Sequence, residues 1–104
     1  MVPFEYSDLS GSKRRPACIV SSDEYNGGGR DVILAMVTSR LTAGEVGDVV
    51  VRDWSGAGLL RPSVIRTGRL IVLERRLLPE RPLGTLGRTD LDAVDDGLKA
   101  VFGL

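Results

Sequence analysis

Histidine is absent from the 104-residue chain, and only one cysteine, Cys18, is present. A single cysteine excludes an intrachain disulfide framework, and its place in the apolar run 17–20 predicts a buried thiol, not a nucleophile. The missing histidine removes the commonest metal ligand and the commonest acid–base group at neutral pH. We therefore expect neither a metal site nor a cofactor.

Net charge is lacking as well, because 14 basic and 14 acidic residues leave a formal charge of zero. A zero average argues at first against a nucleic-acid partner, but the distribution of charge over the surface matters more. The acids gather in residues 45–53 and 90–96, whereas a basic run at 13–15 is followed by arginines between 61 and 88. Two interpretations are open, a basic face with an acidic back and an ordinary solvated mixture of charges.

Long hydrophobic runs are missing too, and no stretch approaches the length of a transmembrane helix. The N-terminus is neither basic nor followed by a long apolar stretch, so we expect no signal peptide, no membrane association and a cytoplasmic location. The length suits one domain over residues 1–104. Since aromatic residues make up only 5% of the chain, Val, Leu and Ile must fill most of its core.

Glycine and proline are plentiful, and 13 glycines with 5 prolines predict many turns between short strands. Strands are predicted at residues 16–20, 31–38, 48–52, 63–67 and 70–74, with a last extended piece at 83–86 and loops at 21–29, 42–47 and 54–58. The nearly unbroken apolar run in 31–38 suits a strand covered on both faces, as in a small closed barrel or at a dimer interface. Leu59 and Leu60 are expected to pack beneath the loop at 54–58.

The end of the chain has the pattern of an amphipathic helix. Apolar residues recur there at helical spacing, namely Leu91, Val94, Leu98, Val101 and Phe102. Residues 89–92 have the spacing of a capping box, and Gly103 is placed to end the helix. Several short strands and one C-terminal helix predict a mainly β fold, most simply a small β-barrel.

Arginine and hydroxyl side chains gather at predicted strand ends. Arg15 precedes a proline, which favours an extended backbone at the start of a strand. The next strand ends in Thr38, Ser39 and Arg40. Antiparallel pairing of the two strands would make Arg15 and Thr38 neighbours. A guanidinium beside two hydroxyls predicts a phosphate site, although surface charge and turn chemistry explain the same residues.

Short motifs follow one another along nearly the whole chain: Val2-Pro3-Phe4, Leu9-Ser10-Gly11-Ser12-Lys13-Arg14-Arg15-Pro16-Ala17, Val37-Thr38-Ser39-Arg40, Gly47-Asp48-Val49-Val50 and Ala57-Gly58-Leu59-Leu60-Arg61-Pro62-Ser63. Their order and spacing resemble the MazF/PemK family of toxins from type II toxin–antitoxin systems. The resemblance implies a homodimer of small SH3-like (CcdB/MazF-type) β-barrels. It also implies a sequence-selective endoribonuclease that cleaves single-stranded RNA, needs no cofactor and is neutralised by a cognate antitoxin protein.

The same resemblance assigns roles to individual residues. In the family, the substrate's own 2′-hydroxyl attacks the adjacent phosphorus and gives a 2′,3′-cyclic phosphate. The family's catalytic arginine precedes a proline and matches Arg15; its catalytic hydroxyl ends the next long strand and matches Thr38, with Ser39 as the alternative. The residues expected to contact RNA are Asp8, Ser10, Ser12, Lys13, Arg14, Arg40 and Arg66.

Three features depart from the family pattern. The loop that contains Ser10-Gly11-Ser12-Lys13 has no glutamate, which some family members carry there as a general base. A later step of the family, Arg-x-Asp, reads Arg66-Thr67-Gly68 here, so the arginine is kept and the acid is missing. The general base is therefore unassigned. Met1 falls where the family is already inside its first strand, so we expect that strand to be shortened.

Alternative functions stay open beside the endoribonuclease. One is a non-catalytic poison of DNA gyrase similar to the CcdB toxins, against which the pairing of Arg15 with Thr38 argues; another is an inactive SH3-like binding module. Trp54 also has two interpretations, a base-stacking side chain or a half-buried anchor of its loop.

Overall fold

The computed structural model describes residues 3–7, 14–42, 44–78 and 82–104, with side chains described from residue 16 onward. The described residues form one antiparallel sheet in the order β1-β2-β3-β5-β4. Its strands are β1 Pro3–Ser7, β2 Arg14–Ile19, β3 Asp31–Thr38, β4 Asp48–Val50 and β5 Val64–Glu74, and the helices are α1 Asp23–Gly28 and α2 Arg88–Phe102, with a 3-10 turn at Arg75–Leu77.

Strand β3 lies at the centre of the sheet and is buried on both faces, as its apolar run predicts. On one face Ala35 and Val37 join a core cluster that the helix α2 covers through Val94. On the other face Val32 and Leu34 form a second cluster. Because alternate residues of β3 serve two cores, the period-two pattern of a half-exposed strand is missing from its sequence.

Strand β5 joins what the sequence predicts as two short strands. Ala35 of β3 pairs with Leu70, but the next residue, Met36, pairs with Arg66. The three intervening residues 67–69 therefore form a bulge, which bends a strand and increases its local twist. The prediction of two strands is wrong because Gly68 marks this bulge and not a turn.

The fold is a mainly β antiparallel sheet with a C-terminal helix, as predicted. Within the described ranges β1 and β4 are the two edges of an open pairing order, so a closed barrel stays a prediction. The piece at 83–86 pairs with no described strand; Leu86 is instead buried in the first core cluster. No helix in the described part of the chain is long and apolar enough to cross a membrane.

Helix α1 lies in the segment predicted to be a loop, and that prediction is wrong. Ser22 caps the helix, because its Oγ accepts a hydrogen bond from the N–H of Tyr25 at 3.1 Å. The hydroxyl of Ser21 donates to Asn26 and accepts from the N–H of Ile33, which ties the helix to β3. These caps outweigh the low helix propensity of the glycines in the segment.

Helix α2 confirms the predicted amphipathic helix, and Gly103 ends it with a φ of 71°. The predicted capping box is wrong, because the N-cap is Gly87, which has no side chain to cap with. Asp90 instead reaches out of the helix and accepts the backbone N–H groups of Arg52 and Asp53 at 2.9 and 3.0 Å. Gly97 allows close packing, since a Cβ there would lie 2.7 Å from the carbonyl oxygen of Gly47.

Asp90→Asn is expected to lower the free energy of unfolding by about 1–3 kcal/mol. Asp90 is 2% exposed and both of its oxygens accept N–H groups, so an amide would place an NH2 group against one of those donors. Urea unfolding measures the change. Asp96→Asn on the exposed face of α2 is the matched control, and an equal effect of both substitutions would contradict the buried role.

The loop at 54–58 anchors itself on the core. Trp54 is half-buried and packs against the first core cluster, which supports the anchor interpretation. Leu59 is buried there as well, but Leu60 is 89% exposed, so the expectation for Leu60 is wrong. Gly58 and Gly84 bring this loop and the 82–87 segment into backbone contact.

Cys18 is fully buried, as predicted, and burial raises the pKa of its thiol to about 12. The thiolate fraction at pH 8 is then roughly a thousandfold below that of an exposed cysteine. We expect iodoacetamide to leave the folded protein unlabelled under conditions that label it fully in urea. Mass spectrometry measures the label, and rapid labelling of the folded chain would contradict the buried position.

Candidate active site at the ends of β2 and β3

The predicted neighbours Arg15 and Thr38 lie at the start of β2 and at the end of β3, two strands that pair antiparallel. Strands β2 and β3 pair Ala17 with Met36 and Cys18 with Ala35. Extended by two residues beyond the pair of Ala17 with Met36, the same register would set Arg15 opposite Thr38. Alternation along a strand puts both positions on the sheet face that carries Ala17, opposite the face covered by α2.

Thr38 presents an oriented hydroxyl at the end of β3. Its Oγ1 accepts a hydrogen bond from the backbone N–H of Arg40 at 3.1 Å. Because that bond uses a lone pair of the oxygen, the hydroxyl proton is left to donate to another group. Thr38 is half-buried, whereas Ser39 and Arg40 lie beyond the strand and are exposed.

Arg66 lies in the row next to Thr38 on the same face. The sheet pairs Thr38 with Val64, and Met36 with Arg66. Across the other edge of β5, Arg66 pairs with Asp48 of β4. Diagonal neighbours of this kind are about 7–8 Å apart, within reach of an arginine side chain.

The guanidinium of Arg66 is hydrogen-bonded to one acid and lies near a second. Its Nη1 lies 2.8 Å from Oδ2 of Asp48 and 3.9 Å from Oε2 of Glu45. The side chains of Arg66 and Asp48 are only 16% and 11% exposed. Oδ1 of Asp48 is buried and accepts no hydrogen bond from the described residues, an arrangement that costs about 1–3 kcal/mol. Native structures keep such groups where strain or function requires them.

A second ion pair extends this cluster toward solvent. Both guanidinium nitrogens Nε and Nη2 of Arg69 donate to the carboxylate of Glu45. This hydrogen bonding lowers the pKa of Glu45 and raises that of Arg69. Arginines and acids therefore alternate here, and this part of the surface follows the mixed-charge interpretation, not the segregated one.

Of the predicted site residues, four lie outside the described ones: Asp8, Ser10, Ser12 and Lys13. Arg14 and Arg15 begin β2, where they pair with Ser7 and Tyr6 of β1. Sequence reasoning missed Asp48, because its partner Arg66 is eighteen residues away on a strand whose pairing the sequence does not display. No three Asp, Glu or Cys side chains in the described ranges come together in a group that could hold a metal ion.

Comparisons with known proteins agree with this fold. Residues 1–102 match the family model described as PemK-like, MazF-like toxin of type II toxin–antitoxin system. The structure is similar to the Mycobacterium tuberculosis toxin MazF-mt6, with a TM-score of 0.78 and 24% identity over 98% of this chain and 97% of that one.

Two complexes are also similar. An endoribonuclease from a mycobacterial species, in complex with its cognate antitoxin, has a TM-score of 0.78 and 20% identity over 98% of this chain and 91% of that one. The Form-II MazE–MazF structure from Deinococcus radiodurans has a TM-score of 0.72 and 24% identity over 100% of this chain and 98% of that one. No curated protein sequence matches the chain.

Proposed function

The chain belongs to the family of PemK-like, MazF-like toxins of type II toxin–antitoxin systems, and from this premise we propose that it is an endoribonuclease that cleaves single-stranded RNA without a metal ion. The observation that carries the proposal is the antiparallel pairing of Ala17 with Met36, whose register, extended by two residues, supports Arg15 and Thr38 as neighbours. A guanidinium and an oriented hydroxyl at one strand end suit a phosphodiester, since the two groups supply a fork and a donor to its oxygens.

The proposed reaction uses the 2′-hydroxyl of the substrate as the nucleophile. The 2′-oxygen forms a bond to the adjacent phosphorus and loses its proton, while the bond from phosphorus to the 5′-oxygen breaks and that oxygen gains a proton. The products are a 2′,3′-cyclic phosphate and a 5′-hydroxyl. Arg15 stabilises the charge that develops on the phosphate oxygens. Holding the 2′-oxygen in line with the leaving group supplies much of the remaining acceleration.

Thr38, in preference to Ser39, is the proposed catalytic hydroxyl. Position 38 shares a face with position 15, and the N–H of Arg40 fixes its hydroxyl oxygen. Thr38→Val keeps the shape and removes the hydroxyl, so it separates the two candidates from each other. We expect Thr38→Val to lose most of the cleavage rate while Ser39→Ala retains it; the reverse result would assign the role to Ser39.

The finer architecture is part of the proposal. The bulge in β5 bends the sheet beside a short edge strand, β4, and these two features support an SH3-like barrel. Two similar structures are toxin–antitoxin complexes, which supports a cognate antitoxin as the partner of this chain. We further propose a homodimer that acts on mRNA in the cytoplasm. Its proposed RNA contacts are Asp8, Ser10, Ser12, Lys13, Arg14, Arg40 and Arg66.

The direct experiment incubates the purified protein with a mixed-sequence RNA in EDTA. We expect discrete fragments that end in a cyclic phosphate, whether or not a divalent ion is present. EDTA also tests the independence from metal. Intact RNA together with growth arrest of cells that express the protein would contradict the proposal and favour the gyrase-poison hypothesis.

A further inference from the structure

Beside the candidate active site lies an ion pair, Arg66 with Asp48, whose acid has no role in the proposed reaction. Nη1 of Arg66 donates a hydrogen bond of 2.8 Å to Oδ2 of Asp48, and both side chains are largely buried. Asp48 uses only one oxygen in its described hydrogen bonds, since Oδ1 is buried without a donor. A buried carboxylate oxygen without a donor among the described residues is unfavourable in a protein interior.

The turn that carries Asp48 is fixed to the bulge of β5. Oδ2 of Asp48 accepts the N–H of Glu45 at 2.9 Å as well as the guanidinium of Arg66. The hydroxyl of Thr67 donates to the carbonyl oxygen of Gly47 at 2.6 Å. The bond to Glu45 and the bond between Thr67 and Gly47 thus fix the turn around Asp48, and the carboxylate of Asp48 in turn holds Arg66.

The two ion pairs of Arg66 use one nitrogen. Both the contact to Asp48 and the longer contact to Glu45 are made by Nη1. Guanidinium is planar and carries further donors on Nη2 and Nε, so holding Nη1 restricts the positions that those donors can take. Arg66 is diagonal to Thr38 on the same sheet face.

We propose that Asp48 is a positioning residue, whose carboxylate holds Arg66 so that the outer N–H groups of the guanidinium bind a backbone phosphate beside Thr38. The proposal rests on the proposed function. The local sequence Arg66-Thr67-Gly68 in β5 offers no acid to Arg66. In the proposal the neighbouring strand β4 supplies that acid, Asp48. Asp48 acts through Arg66 and does not touch the substrate.

The test measures kcat and KM of RNA cleavage for Asp48→Asn, a substitution that keeps the side-chain shape and removes its charge. We expect kcat to fall about tenfold to a hundredfold because Arg66 is no longer held in place. KM is expected to stay constant or to fall, since the surface becomes one unit more positive. In an Arg66→Met background Asp48→Asn should have no further effect on kcat, as for two residues that act in series.

If Asp48→Asn does not fold, Arg66→Lys provides a second test. Lysine retains an ion pair with Asp48 but lacks the planar fork, so we expect the fold to persist and cleavage to fall at least about tenfold. Glu45→Gln is the matched control, because it removes the half-exposed acid 3.9 Å from Nη1 and should change neither constant by more than about twofold.

The outcomes separate this proposal from the proposed function. Suppose that the wild-type protein cleaves RNA. If folded Asp48→Asn then keeps the wild-type kcat, or if Arg66→Lys keeps both constants, the role of Asp48 would be overturned and the ion pair would be structural. No cleavage by the wild-type protein would overturn the proposed function and this role together. A fall in kcat at constant KM in Asp48→Asn, absent in Glu45→Gln, would support both.

Discussion

Arg15→Ala is expected to lower the rate of RNA cleavage by about a hundredfold to a thousandfold. The register of β2 and β3, extended two residues beyond the pair Ala17–Met36, would set this position opposite Thr38, where a guanidinium would meet the charge that develops on the phosphate. Replacing the arginine side chain by a methyl group removes this stabilisation of the transition state, so kcat should fall by a larger factor than KM rises. Single-turnover cleavage of a fluorescent oligonucleotide measures the chemical step apart from product release.

Two variants control for the effect of charge alone. Arg15→Lys keeps the charge without the fork, and we expect it to recover only a part of the lost rate. Arg14→Ala removes a cation from the neighbouring position of β2, which pairs with Ser7. It should weaken RNA binding in a salt-dependent way with little change in kcat. Equal losses of kcat in Arg14→Ala and Arg15→Ala would contradict the assignment of Arg15.

Gly58→Ala is expected to lower the free energy of unfolding by at least about 3 kcal/mol, a large share of the stability of a small domain. Gly58 has a φ of 86°, and a Cβ there would lie 2.1 Å from the carbonyl oxygen of Leu83. Both the left-handed conformation and the backbone contact oppose a side chain. Urea unfolding followed by Trp54 fluorescence measures the loss, because Trp54 lies in the same loop.

Gly103→Ala separates the two contributions. Gly103 also has a positive φ, of 71°, but a Cβ there would meet nothing within 4 Å. We expect it to cost only about 1–2 kcal/mol, the conformational part alone. If Gly58→Ala cost no more than Gly103→Ala, the close approach of the 57–58 and 83–84 backbones would be wrong.

The sequence predicts best where burial is strong. The apolar run of β3 indicates a strand covered on both faces, and the structure places Leu34 and Val37 in different core clusters. The helical spacing of residues 91–102 likewise predicts α2, because one apolar stripe must pack on the sheet. In both cases the pattern follows from packing that the whole element shares.

Short sequence motifs predict the local structure less well when contacts with residues distant in the sequence favour another conformation. The glycines at 27–29 suggest a loop, but the caps and the bond from Ser21 to β3 select a short helix. Residues 89–92 have the spacing of a capping box, but the helix begins one residue before this segment, and Asp90 binds the backbone of residues 52–53. Tertiary contacts override propensities of this size, and the sequence alone does not contain them.

One part of the candidate site can be predicted from the sequence, and another part cannot. Proximity of Arg15 and Thr38 is expected from antiparallel pairing of two consecutive strands, and the pairing of Ala17 with Met36 supports it. The partner of Arg66 does not follow from the sequence, because β5 pairs with both β3 and β4 and Asp48 lies on the latter. Arginine content alone therefore overstates the free positive charge of this surface.

Attack by the substrate's own 2′-hydroxyl is the central claim, and one measurement tests it most directly. An oligonucleotide that contains the cleaved sequence is prepared twice, once entirely as RNA and once with a single 2′-deoxyribose on the 5′ side of the cleaved bond. In EDTA we predict that the all-RNA strand gives a 2′,3′-cyclic phosphate and a 5′-hydroxyl, while the substituted strand binds and stays intact. Cleavage of the substituted strand at the same bond would contradict the account.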